Sequence, residues 1–133
     1  MARVLVVDDQ SDVRAMIAIV LRVNRFEIVE AASAAEGIKA FEAAGEGAKF
    51  DLAIIDIFLQ GKSGLDLMSM MRDRQPDFPI VAMSGMTALD FVAEAPDLSN
   101  VACLQKPFRP NDLMRAIENA RRAVAPVAAR AAV

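Results

Sequence analysis

The chain has 133 residues, enough for one hydrophobic core and too few for two ordinary domains. Its 15 basic and 18 acidic residues leave a formal charge of −3, which gives nucleic acid no electrostatic reason to bind the isolated domain. There is no histidine and Cys103 is the single cysteine, so an internal disulfide, the usual zinc sites and histidine-based triads are excluded and a reducing, cytoplasmic setting is expected.

Met1-Ala2-Arg3 leads into residues 4–7, a short unbroken apolar run that suits a strand buried on both faces. The run stops at Asp8 and Asp9, so it is neither a signal peptide nor a membrane span. Ser11 or Asp12 is placed to cap a helix on which Val13, Met16, Ile17, Val20 and Leu21 recur at helical spacing. Residues 26–29 read as a second strand. Ser33, with Glu36 three residues on, is the capping box of a second helix whose apolar side carries Ile38, Ala40 and Phe41. Gly45-Glu46-Gly47 breaks the chain before a third strand at 52–55, which ends in Asp56.

Gly61 and Gly64 fall in the loop after Asp56, and Leu65, Leu67, Met68 and Met71 mark a third helix closed by Gln75-Pro76-Asp77. A fourth strand at 80–83 ends at Ser84-Gly85. A short, weakly specified helix is expected at 87–95; Met86, Ala88, Leu89, Phe91 and Val92 make that region apolar around much of its circumference and offer an interaction patch. Residues 101–104 form a fifth strand that ends near Lys106-Pro107. Pro110 or Asn111 then opens a last helix carrying Leu113, Met114, Ile117 and Ala120. This alternation predicts an α/β fold, a single doubly wound domain with helices on both faces of an open parallel sheet. The domain is expected over 1–122, followed by an Ala-rich tail or linker start at 123–133.

In open α/β sheets, sites form beyond the carboxyl ends of the strands. Asp8, Asp9, Asp56, Ser84 and Lys106 all stand just past apolar runs of this kind. Neighbouring carboxylates repel, and a hard divalent cation relieves the repulsion; Mg²⁺ prefers such oxygen ligands. Asp9 and Asp56 are the best direct ligands, Asp8 acts directly or through a water, and the backbone carbonyl of Phe58 is a further candidate. A carboxylate is also a nucleophile able to form an aspartyl phosphate, with Lys106 neutralising the transferred group and Ser84 donating a hydroxyl hydrogen bond to it. The plainer readings are helix capping for Asp8 and Asp9, a first-turn charge for Asp12, a turn former at Ser84, a surface lysine at 106 and a core thiol at Cys103. Neither GxxxxGK[ST] nor GxGxxG occurs, which leaves nucleotide binding without support.

Together these residues resemble the receiver domain of two-component response regulators over roughly residues 3 to 122. Asp8-Asp9 matches the family's acidic pair, Asp56 its phosphoacceptor, Ser84 its hydroxyl residue, and Lys106-Pro107-Phe108 its lysine and following proline, whose peptide bond is commonly cis. The resemblance implies a (βα)₅ domain of strand order 2-1-3-4-5. It implies a phosphoryl group received from a histidine kinase or histidine phosphotransfer protein, with Mg²⁺ and slow self-catalysed dephosphorylation. Output is expected through the face of the fourth helix, fifth strand and fifth helix, used by a downstream protein or a second copy of the chain. Three departures stand out. Gln60 replaces the proline often found four residues after the acceptor. Cys103 replaces the aromatic residue often found three before the lysine. Phe58 and Met86 occupy the positions that tune dephosphorylation, and neither orients a water by hydrogen bonding. The competing expectation is a phosphorylation-independent protein-binding module of the same fold; turnover of an external substrate is not expected, since Phe58 stands where an acid/base carboxylate is needed.

Overall fold

A computed structural model describes residues 1–44, 49–60, 62–85, 98 and 100–124, apart from the side chain of Lys62. The expected breaker at Gly45-Glu46-Gly47, Gly61, Met86 with the helix at 87–95, and the tail beyond 124 lie outside the described residues.

Five parallel strands build the central sheet: β1 (Arg3–Val7), β2 (Glu27–Ala31), β3 (Leu52–Asp56), β6 (Ile80–Ser84) and β7 (Ala102–Gln105), in the order β2-β1-β3-β6-β7. Between β3 and the third helix, where the sequence predicts a loop, lies a short antiparallel hairpin, β4 (Phe58–Leu59) and β5 (Lys62–Ser63). With the hairpin set aside, the sheet has the expected 2-1-3-4-5 order. Helices α1 (Ser11–Val23), α2 (Ala34–Ala44), α3 (Gly64–Arg74) and the C-terminal helix (Pro110–Val124) complete the described layers.

The inner strands β1, β3 and β6 read as nearly unbroken apolar runs because both faces of the sheet are covered there, whereas the edge strand β2 carries Glu27 and Glu30. Their side chains alternate between two cores. Leu5, Val7, Ala53, Ile55, Ile80 and Ala82 join Phe41, Leu67, Met68 and Met71 on the α2 and α3 side. Val4, Val6, Leu52, Ile54, Val81 and Met83 join Ile17, Leu21, Leu113 and Ile117 on the other. The strands β3 and β6 are buried at every residue, which fixes the positions of the groups at their carboxyl ends.

The helix starts differ in detail from expectation. α1 begins at Ser11 itself, after Gln10 at the cap position with no side-chain cap hydrogen bond. The Asp8 carboxylate takes the Gln10 backbone N–H instead, at 2.9 Å, and so organises the turn that Ser11 or Asp12 was expected to cap. α2 follows the expected capping box: Ser33 Oγ accepts from the Glu36 N–H at 3.1 Å, while Glu36 Oε2 accepts from the Ala32 N–H at 2.7 Å. Gly64 is the first residue of α3, capped by Ser63, whose Oγ accepts from the Leu65 N–H at 3.1 Å. The C-terminal helix opens on Pro110, where its missing N–H costs nothing, and Asp112 reaches back to the Arg109 N–H at 3.0 Å.

Candidate functional site

The carboxyl ends of β1, β3 and β6, with the residue after β7, converge at one end of the sheet. Asp56 is the last residue of β3, and parallel pairing with Met83 holds it beside the end of β6. Asp8 follows β1 directly, and its backbone N–H donates to the Ala31 carbonyl at 3.1 Å. The Arg14 guanidinium donates to the Asp8 carbonyl at 2.6 Å and reaches Glu30 at 3.5 Å, tying the acidic turn to α1 and β2.

Lys106 occupies the centre of this cluster. Its Nζ donates to Asp8 Oδ2 at 2.7 Å, to Asp56 Oδ2 at 2.8 Å and to Gln10 Oε1 at 3.1 Å. The three ammonium hydrogens are thus matched by three oxygens. The backbone N–H of Lys106 donates to the Ser84 carbonyl at 2.8 Å, and the Lys106–Pro107 bond is cis. The second oxygen of Asp56 accepts from the Phe58 N–H at 2.9 Å.

Burial and charge oppose each other here. Asp8 is fully buried, and that desolvation raises its pKa above the usual carboxylate value despite the Lys106 ammonium and the Gln10 N–H. Burial alone would depress Lys106, but hydrogen bonds to Asp56 and Asp8 outweigh it and hold the ammonium above its usual value. Lysine is therefore a cation in this site at neutral pH. Asp9 is exposed beside the pair, and one carboxylate oxygen from each of Asp8, Asp9 and Asp56 lies within 4.8 Å of the others. Three hard oxygen donors in that span suit a divalent cation such as Mg²⁺, with solvent free to complete its coordination on the Asp9 side.

The structure therefore brings Asp8, Asp9, Asp56 and Lys106 together. Ser84 is fully buried at the end of β6, joined to the cluster through the Lys106 main chain. Phe58 sits two residues past Asp56 in the hairpin with its side chain about half exposed. Gln10 was absent from the expected site. A polar residue in a turn carries no periodic signal, and only its position directly after the two aspartates pointed to it. Cys103 is half-buried and packs against the core, and burial pushes its thiol pKa up, as suits a packing residue.

A cleft of about 640 Å³ opens beside the cluster, lined by the polar Asp9, Gln10, Asp56 and Lys106, by Gly85, and by the apolar Val13, Met16, Phe58, Pro107 and Phe108. Among the described residues, no helix is long and apolar enough to cross a membrane.

Known proteins are similar to this chain in sequence and in fold. Residues 4–118 match the response regulator receiver domain. The transcriptional regulatory protein PdtaR of Mycobacterium tuberculosis is 36% identical over 116 residues, covering 87% of this chain and 55% of that protein. The transcriptional regulatory protein FixJ of Bradyrhizobium diazoefficiens is 35% identical over 95 residues, 71% of this chain and 46% of its own length. The chain thus spans about half the length of these curated relatives. A response regulator receiver domain protein from Clostridium thermocellum superposes with a TM-score of 0.80 at 28% identity, covering 91% of this chain and 94% of its own. With the 2-1-3-4-5 sheet, the acidic pair and the lysine at the strand ends all in place, the chain belongs to the response regulator receiver domains of two-component systems.

Proposed function

We propose that this domain accepts a phosphoryl group on Asp56 from a histidine kinase or a histidine phosphotransfer protein and signals through altered binding to another protein. The observation that carries this reading is the Lys106 ammonium, 2.8 Å from Asp56 and 2.7 Å from Asp8, at the mouth of an open cleft. In the transfer, a carboxylate oxygen of Asp56 attacks phosphorus, the P–N bond to the donor imidazole breaks, and the imidazole leaves with the electron pair and takes up a proton. Lys106 supplies positive charge to the phosphoryl oxygens as they move. Asp8, Asp9, Asp56 and the Phe58 carbonyl are the residues that would hold Mg²⁺, which supplies further charge neutralisation when bound. Ser84 donates its hydroxyl to the transferred group, a bond that requires the end of β6 to expose a side chain now fully buried.

Receipt of a phosphoryl group biases a two-state region around the strand ends, and the face formed by β7 and the C-terminal helix carries the change to a downstream protein or a second copy of the chain. The test is intact mass after incubation with acetyl phosphate and Mg²⁺. A gain of about 80 Da, absent in Asp56→Asn and after chelation, is expected. No gain from acetyl phosphate or from a phosphorylated histidine phosphotransfer protein overturns the reading in favour of a constitutive protein-binding module.

A further inference from the structure

The cleft beside Asp56 is larger than the reaction centre needs. A phosphoryl group is comparable to a few water molecules, each on the order of 30 Å³, whereas the cleft measures about 640 Å³. Its polar side carries the acceptor carboxylate and the lysine. Its apolar lining includes Val13 and Met16 of α1 and Pro107 and Phe108 just beyond the lysine. Val13, Met16 and Phe108 are partly buried, each resting on the core behind while remaining accessible to the cleft. A donor whose phosphoryl group sits against Asp56 and Lys106 shares the cleft with these apolar side chains.

We propose that Val13, Met16, Pro107 and Phe108 form a leaving-group subsite that makes acyl phosphates with an extended apolar acyl chain better phosphodonors than acetyl phosphate. The inference rests on Asp56 as acceptor and adds the class of small-molecule donor. An Asp56 oxygen attacks phosphorus, the P–O bond to the acyl group breaks, and the carboxylate RCOO⁻ departs with the bonding electrons. No proton transfer is needed: the acyl phosphate dianion and the Asp56 anion become a carboxylate anion and an aspartyl phosphate dianion. Acetyl and butyryl phosphate share the reacting atoms and nearly the same leaving-group acidity, so they differ only in two methylene groups. Each fully buried methylene contributes roughly a fourfold preference, and in an open cleft roughly three- to tenfold is expected for the pair.

The experiment measures initial rates of Asp56 modification by acetyl phosphate, butyryl phosphate and phosphoramidate across donor concentration, at fixed Mg²⁺. Butyryl phosphate is expected to half-saturate the domain at three- to tenfold lower concentration than acetyl phosphate. That ratio should collapse toward one in Met16→Gln and persist in Ile19→Gln, which changes an exposed residue of the same helix. Equal half-saturation by the two acyl phosphates overturns the subsite and leaves the acceptor reading intact. A preference that survives Met16→Gln and Phe108→Ser together also overturns it. Modification by a histidine phosphotransfer protein, with none by the three small donors, removes the subsite alone; no modification by any donor removes the acceptor reading and the subsite with it.

Discussion

At the scale of single residues, the grouping of the candidate site was largely legible because each polar group ends an apolar strand. Asp8, Asp9, Asp56 and Lys106 needed no contact information to be singled out, and three of them share direct hydrogen bonds. What the residue string withheld was the partner of Lys106 in the turn, Gln10, and the depth of Ser84. Phe58 allows a prediction at this scale. Its half-exposed ring stands two residues past Asp56, the proposed acceptor, with no group to orient a water. The phosphorylated domain should therefore decay over a period on the order of hours without a phosphatase, and Phe58→Asn should shorten that roughly tenfold by restoring a hydrogen-bonding side chain. Phosphoaspartate followed by intact mass after donor removal checks this, and wild-type decay within seconds contradicts it.

At the scale of elements, the five main strands and the described helices were readable from apolar runs and helical spacing, with ends displaced by one or two residues. The second strand starts at Glu27 and not Phe26, because the Phe26 N–H still closes α1 on the Leu21 carbonyl at 2.9 Å while its ring lies under the Arg121 guanidinium. The β4–β5 hairpin escaped because strands of two residues have no period to detect. It matters nonetheless, since it carries the chain from Asp56 back to α3. Gly64 permits that return: its N–H donates to the Ile57 carbonyl at 2.7 Å, and a Cβ there would run into the Asp56 carbonyl oxygen. Gly64→Ala is expected to cost about 2–4 kcal/mol of stability through a backbone clash that no rotamer relieves. Urea denaturation measures it, and a midpoint equal to wild type would show that the hairpin yields.

At the scale of the molecule, two cores on opposite faces of one sheet leave the strand ends as the place where charge can collect. Asp8 and Asp56 are buried with one ammonium between them, and Asp9 adds a third carboxylate at the surface. On the proposed function, net negative charge of that kind should make the folded domain a better ligand for a divalent cation than the unfolded chain. Mg²⁺ at about ten times its dissociation constant should raise stability by about 1.4 kcal/mol, or roughly 5 °C in Tm for a domain of this size. Asp9→Asn should remove most of the rise. Thermal melts with and without Mg²⁺ test this, and an equal rise in the variant would place the ion elsewhere.

Lys106 belongs to two parts of the molecule at once. Its main chain is fastened to Ser84 at the end of β6, and its side chain to Asp56 at the end of β3, which is itself paired with β6. The three points form a closed truss, and a truss cannot be loosened at one joint without loading the others. Lys106 also directly follows β7, the outermost strand on that side of the sheet. Whatever draws the ammonium off Asp56 therefore pulls on the rim of the sheet as well as on its inner strands, so a chemical event at a buried carboxylate has a short mechanical route to the molecule's edge.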